Sequence, residues 1–219
     1  DTCSFDLSLC AWCGDGVVQT EKGETCDGTQ YNGLTCLDFS FGGGTLGCSN
    51  CNIDVDNCTV QPFTRISSGM GHTCGINASG AVWCWGRNEG GQVGTTSDAS
   101  FIWLPRLVDE SSSHYFTDIT TETYNTCAID LQGAAWCWGN NTNGQLGNGT
   151  GGIETSTSTP VAVLMPENIT FSQISAGSYY ACALDMTGNV WCWGSRSYGK
   201  QGAGDDADHG VPTMVQMPD

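Results

Sequence analysis

The chain has 219 residues, with 6 Lys+Arg against 23 Asp+Glu and a formal charge of −17. Nucleic-acid affinity rests on basic side chains neutralising phosphates, so this balance excludes DNA and RNA as expected partners and disfavours adsorption to anionic lipid. No apolar run approaches the ~20 residues needed to span a bilayer, so no membrane insertion is expected. Abundant scattered glycine (31 residues) and the lack of sustained helical periodicity point to an all-β protein rich in turns.

Fourteen cysteines set the compartment. Reducing cytosol would leave them as thiols, whereas an oxidising compartment turns an even set into a framework, so the expected location is extracellular or at the cell surface. Sequons at Asn57, Asn77, Asn140, Asn148 and Asn168 are glycosylation candidates and fit a secreted chain.

Eight of the cysteines fall before residue 60: Cys3, Cys10, Cys13, Cys26, Cys36, Cys48, Cys51 and Cys58. A segment this small, with few large aliphatic residues, folds as a disulfide-rich module (1–60), each bridge contributing about 2–4 kcal/mol. Connectivity among eight cysteines does not follow from sequence. Cys10-Ala-Trp-Cys13 and Cys48-Ser-Asn-Cys51 invite a zinc reading, but the gap between the pairs is about twice that of a zinc ribbon and four cysteines would be left over. A thioredoxin-like role is weaker still, since no βαβ pattern surrounds either pair. Asp15, Glu24 and Asp27 are weak candidates for Ca²⁺ ligands, with solvated turn carboxylates the blander and favoured alternative; no cofactor is otherwise expected. The run Cys13-Gly14-Asp15-Gly16, followed by Glu24-Thr25-Cys26-Asp27-Gly28, resembles the cysteine-rich repeats of secreted surface proteins over residues 13–58. That resemblance implies a stapled extracellular module without catalytic role.

From residue 61 onward the chain repeats itself. Phe63/Ile66, Phe116/Ile119 and Phe171/Ile174 recur at offsets of 53 and 55 residues, giving units of about 63–115, 116–170 and 171–219. Each unit carries a cysteine, a turn (Asn77-Ala-Ser-Gly80, Asp130-Leu-Gln-Gly133 or Asp185-Met-Thr-Gly188) and then Trp-Cys-Trp-Gly. A three-residue hairpin loop with Gly80 left-handed sets Asn77 against Ala81, Ile76 against Val82 and Cys74 against Cys84. Residues directly opposed in an antiparallel pair lie about 4.5–5.5 Å apart, within disulfide range. The count predicts three hairpin disulfides, Cys74–Cys84, Cys127–Cys137 and Cys182–Cys192. Alternation then sends both tryptophans of each motif to the face opposite the cysteine, where packing of one unit on the next is favoured over sugar stacking.

Ile174-Ser-Ala-Gly177, Cys182 to Gly188, Val190-Trp-Cys-Trp-Gly194 and Gly144-Gln145-Leu146-Gly147 together resemble the RCC1 (regulator of chromosome condensation) repeat over residues 63–217. The resemblance implies three propeller blades, an arc of less than half of the seven-bladed ring usual in that family. Two local departures are Glu122 where Gly69 and Gly177 stand, and the shifted glutamine of Gly199-Lys200-Gln201-Gly202.

No catalytic site emerges. His72, His114 and His209 accompany no nucleophile motif, and no phosphate-binding glycine loop joins a strand to a helix. The acidic run Asp205-Asp206-Ala-Asp208 lacks EF-hand spacing. Phe101-Ile102-Trp103 precedes Pro105 where the sister repeats are polar, which makes these three residues interface candidates, with packing against the cysteine-rich module as the alternative. The expected function is an extracellular structural or interaction protein assembling through its repeats, as a surface filament or appendage subunit or part of a longer secreted protein. The alternative is a soluble secreted ligand-binding module, lectin-like or inhibitor-like. Expected partners are copies of itself or further repeats, with glycans as a second class.

Overall fold

The computed structural model describes residues 17–18, 20, 23, 25–36, 41, 43–59, 62–108, 114–205 and 207–218. The chain divides into two compact units, residues 1–61 and 62–219.

In the first unit, β1 (Gly43–Gly44) pairs with β4 (Cys58–Thr59), and β2 (Gly47–Ser49) pairs with β3 (Asn52–Asp54). Disulfides Cys26–Cys48 and Cys36–Cys58 tie these ribbons to the preceding turns, and Cys51 is disulfide-bonded too. Bonded Cys48 and Cys51 offer no thiolate, so this C-x-x-C is structural. Its fellow Cys10–Cys13 lies outside the described residues. Among described apolar side chains only Cys26, Cys36 and Leu46 are buried in this unit, so cross-links take the place of a core.

The second unit consists of three four-stranded antiparallel sheets, each in simple chain order. Blade 1 contains β5 (Phe63–Ser68), β6 (His72–Asn77), β7 (Val82–Arg87) and β8 (Phe101–Leu107). Blade 2 contains β9 (Phe116–Thr121), β10 (Asn125–Asp130), β11 (Ala135–Gly139) and β12 (Thr157–Ala162). Blade 3 contains β13 (Phe171–Gly177), β14 (Tyr180–Asp185), β15 (Val190–Gly194) and β16 (His209–Met214). Short 3₁₀ turns at Ile153–Thr155 and Ser197–Gly199 interrupt this all-β pattern.

The central hairpin of each blade follows from its turn. Asn77 N–H donates to Ala81 O and Gly80 N–H to Asn77 O, with Gly80 at φ +76°. The register runs outward as Ile76↔Val82 and Cys74↔Cys84. Cys127↔Cys137 and Cys182↔Cys192 repeat it. All three pairs are disulfides with Cα atoms 4.0–4.1 Å apart.

The apolar core lies between the sheets. One cluster joins Ile76, Val82, Val93, Ile102 and Val108 of blade 1 to Phe116, Ile119, Ala128 and Trp138 of blade 2. A second joins Ile129, Ala135, Leu146 and Val163 of blade 2 to Phe171, Ile174, Ala183 and Trp193 of blade 3. Blade 2 therefore contributes to both cores, and blades 1 and 3 to one each, as stacked repeats require.

Candidate interaction surfaces

The two tryptophans of each motif share a face, yet they do different things. The first is held by its own blade. Asp130 Oδ1 accepts the N–H groups of Gln132 and Ala134, closing the hairpin turn, while Oδ2 accepts Trp136 Nε1 at 2.9 Å. Asp185 does the same with Thr187, Asn189 and, at 2.9 Å, Trp191 Nε1. The Trp191 donor, with Thr187 and Asn189 behind it, holds the Asp185 carboxyl well below the ordinary carboxylate range.

The second tryptophan crosses to the preceding blade. Trp138 is fully buried and donates Nε1 to Gln92 O at 3.0 Å; Trp193 is fully buried and donates to Gln145 O at 3.1 Å. Gly94 and Gly147 form the floors of these seats. A Cβ on either would come within 2.8 Å or 2.7 Å of the indole nitrogen. Thr126 Oγ1 adds a 2.8 Å bond to Gln92 O in the first seat. Inner strands add polar contacts: Thr121 N–H donates to Ser67 Oγ, Ile174 N–H to Asp118 Oδ2 and Ala176 N–H to Thr120 Oγ1. The acceptors Asp118, Asp130 and Asp185 escaped the sequence reading. A recurrent acidic or amide residue two positions before an N–H of the turn was the available signal.

Blade 1 presents its leading face without a preceding blade among the described residues. Phe63 is 44% exposed and Ile66 68%, whereas Phe116, Ile119, Phe171 and Ile174 at the same repeat positions are 2–7% exposed. Trp85, the counterpart of Trp138 and Trp193, is half-buried and rests against Phe63 with ring centroids 6.3 Å apart.

The strip before Pro105 separates into two parts. Phe101 and Trp103 are exposed, Trp103 at 86%, and stack at 5.9 Å beside a groove of about 520 Å³ that includes Thr95, Thr96 and Arg106. Ile102 borders the groove but is not exposed with them. Strand alternation turns it inward, where it is 8% exposed within the core between blades 1 and 2.

Among the sequons, Asn57 and Asn168 are exposed, while Asn140 and Asn148 are half-buried with side-chain oxygens engaged in their loops. Asn77 is buried, standing where Asp130 and Asp185 stand, and its Oδ1 accepts from Ser79 and Ala81. A glycan there is incompatible with the folded turn. Asp15 and Glu24 lie outside the described residues. Asp27 is buried and accepts the Val17 N–H, and among the described residues no cluster of three His, Cys, Asp or Glu stands ready for a metal.

The histidines are placed structurally. His72 Nε2 lies 2.7 Å from Thr126 Oγ1 at the first junction, both side chains buried, and burial pushes the imidazole down to about 4. His114 packs on Trp136 with centroids 3.9 Å apart, and exposed Asp205 accepts from His209 at 3.0 Å. No described helix is long and apolar enough to cross a membrane.

Comparison with known proteins agrees with this geometry. Residues 79–129, 132–184, 63–92 and 171–200 match descriptions of the Regulator of chromosome condensation (RCC1) repeat. The RCC1 domain-containing protein RUG3, mitochondrial, of Arabidopsis thaliana is 29% identical over 170 residues, covering 74% of this chain and 37% of that protein. The Ultraviolet-B receptor UVR8 of the same plant is 27% identical over 156 residues, covering 71% of this chain and 34% of the receptor. The chain thus spans little more than a third of the length of these relatives. Human WBSCR16 superposes with a TM-score of 0.64 at 21% identity, over 80% of this chain and 42% of that one. Yeast RCC1 (Prp20), in its complex with Kap60, superposes at 0.61 with 18% identity, over 71% and 37%. These structures share the blade fold.

Proposed function

Because the chain belongs to the RCC1 repeat family, we propose that it is an extracellular structural and interaction protein that assembles through its blades. It would serve as a subunit of a surface filament or appendage, or as part of a longer secreted protein. The observation that carries this reading is the leading face of blade 1. Phe63 and Ile66 are exposed there, although the equivalent residues form the buried junctions of blades 2 and 3. Apolar surface of this kind, already shaped to cover a neighbouring blade, favours association. Extracellular placement is supported by five disulfides among the described residues and by a charge of −17. A binding rather than catalytic role is supported by histidines that pack or pair structurally. The partners we propose are proteins, in keeping with a yeast RCC1 of this fold that is bound to Kap60.

The test is the state of the chain secreted from an oxidising host. Light scattering across a concentration series should give masses above the monomer, and negative-stain images should show extended or ring-like particles. A monodisperse monomer at every concentration defeats the assembly reading.

A second reading, a secreted ligand-binding module of lectin-like or inhibitor-like kind, rests on the stacked, exposed Phe101 and Trp103, whose mainly apolar groove carries the hydroxyls of Thr95, Thr96 and Ser97 at one side. Titration with a glycan panel while following tryptophan emission tests it. Binding that disappears in Trp103→Ser supports this reading, and no binding removes it.

A further inference from the structure

The seat that holds Trp138 in blade 1 and Trp193 in blade 2 exists a third time in blade 3. Gly94, Gly147 and Gly202 each donate N–H to a glycine three residues earlier, Gly91, Gly144 and Gly199. Their φ angles are +78°, +68° and +63°. Val108, Val163 and Val215 are likewise equivalent, donating to Val82, Ala135 and Val190. A Cβ built on each seat glycine would meet a valine Cγ1, at 2.8 Å from Val108, 3.0 Å from Val163 and 2.8 Å from Val215. At Gly94 and Gly147 the indole nitrogen is equally close. At Gly202 the three nearest atoms all belong to Val215.

This third seat opens onto a groove of about 490 Å³ lined by Gly199, Gln201, Gly202, Gly204, Gln216 and Met217. Val215 is only half-buried, whereas Val108 and Val163 are 5% and 3% exposed. Gln201 supplies a second observation. It stands where Val93 and Leu146 stand, is 3% exposed, and its Oε1 is buried without a hydrogen-bond partner. A buried acceptor left unpaired is destabilising, a penalty that a donor arriving from the groove side would relieve. Lys200, in the place of Gln92 and Gln145, turns its ammonium back to Ser178 O.

The leading face of blade 1 bears the matching groups. Trp85, Thr73, Phe63 and Ile66 occupy the positions of Trp138, Thr126, Phe116 and Ile119, which close the first junction. Building on the assembly reading above, we propose that the seat of blade 3 takes the leading face of blade 1 from a second copy of this chain, head to tail. Trp85 Nε1 and Thr73 Oγ1 then donate to Lys200 O, as Trp138 and Thr126 do to Gln92 O. Phe63 and Ile66 cover Val215 and Met217. The two faces are different patches, so the contact is heterologous and builds rings or open filaments according to whether the rotation closes.

Complementation tests this arrangement. Ile66→Arg blocks the leading face and Val215→Arg fills the seat; Met217→Arg, at a position 77% exposed, charges the same groove with little risk to folding. Each variant alone should lose assembly, with dissociation at least about 30-fold weaker by light scattering. Mixing Ile66→Arg with Val215→Arg or Met217→Arg should restore a dimer that grows no further, because one intact pair of faces remains. Near-UV circular dichroism reports whether each variant is folded. A parent that assembles while folded Ile66→Arg or Met217→Arg chains assemble equally well overturns the seat and leaves the assembly reading standing. Folded variants that stay monomeric on mixing also overturn the seat. A monomeric parent removes both, and a separate RCC1-type repeat that binds this chain when a second copy does not assigns the seat to another chain.

Discussion

Trp138 donates its indole N–H to the main-chain carbonyl of Gln92, 46 residues earlier, and Trp193 repeats the bond to Gln145 across the next junction. These bonds and the full burial of both rings make the second tryptophan of the motif the joint between blades in blades 2 and 3. Trp193→Ala is expected to cost about 3–5 kcal/mol in urea unfolding, in the range of buried aromatic deletions. Trp85→Ala, at a half-buried ring, should cost less than half as much in the isolated chain. Equal losses would contradict this division.

The seat glycines admit a paired comparison. Gly147→Ala places a methyl group against Trp193 at a positive φ and should destabilise by about 3 kcal/mol or more. Gly202→Ala meets a similar φ but only Val215 as its nearest neighbour, and about 1–2 kcal/mol is expected. Denaturation midpoints of the two variants decide the point.

Stability should depend on pH through His72. Its ordinary value of 6.5 is lowered to about 4 by burial, so as pH falls the unfolded chain takes the proton first. Stability is therefore fully present above about pH 6.5 and declines toward pH 4, by roughly 3 kcal/mol in all. His72→Asn, the residue that blade 2 carries at this position, should flatten that window. Asp185 acts lower down. Its depressed carboxyl contributes stability above about pH 4 that is lost with further acidification, and His72→Asn leaves that loss in place. Urea midpoints between pH 3 and pH 8 separate the two groups.

Blade 1 departs from its sisters at the turn. Asn77 offers an amide where Asp130 and Asp185 offer the carboxylate oxygen that accepts the first tryptophan of the motif. Asn77→Asp should supply that acceptor to Trp83 and raise stability by about 0.5–1.5 kcal/mol. No gain, measured on protein from the same host, would mean that Trp83 has no use for the oxygen.

Much of the architecture was legible because it rests on local chemistry. The turn from Asn77 to Gly80 has one comfortable register, so counting from it places Cys74 against Cys84. The strip at Phe101–Trp103 was legible only as composition. Whether Ile102 points in or out depends on the bulge near Cys84 and Gly86, where the register of β8 shifts. The acceptors at Gln92 and Gln145 left no trace, because a main-chain carbonyl belongs to every residue alike.

The sequence by itself determined the repeat length, the hairpin pairing and the side of the sheet on which both tryptophans lie, since strand alternation has a period of two. Only the tertiary structure decided that in blades 2 and 3 the first tryptophan stays with its own blade and the second enters the blade before it. The position of a neighbouring sheet is set by long-range packing, and no local spacing records it. That same packing leaves Ile66 bare while Ile119 and Ile174 are buried, because a side chain is covered only where another blade stands against it.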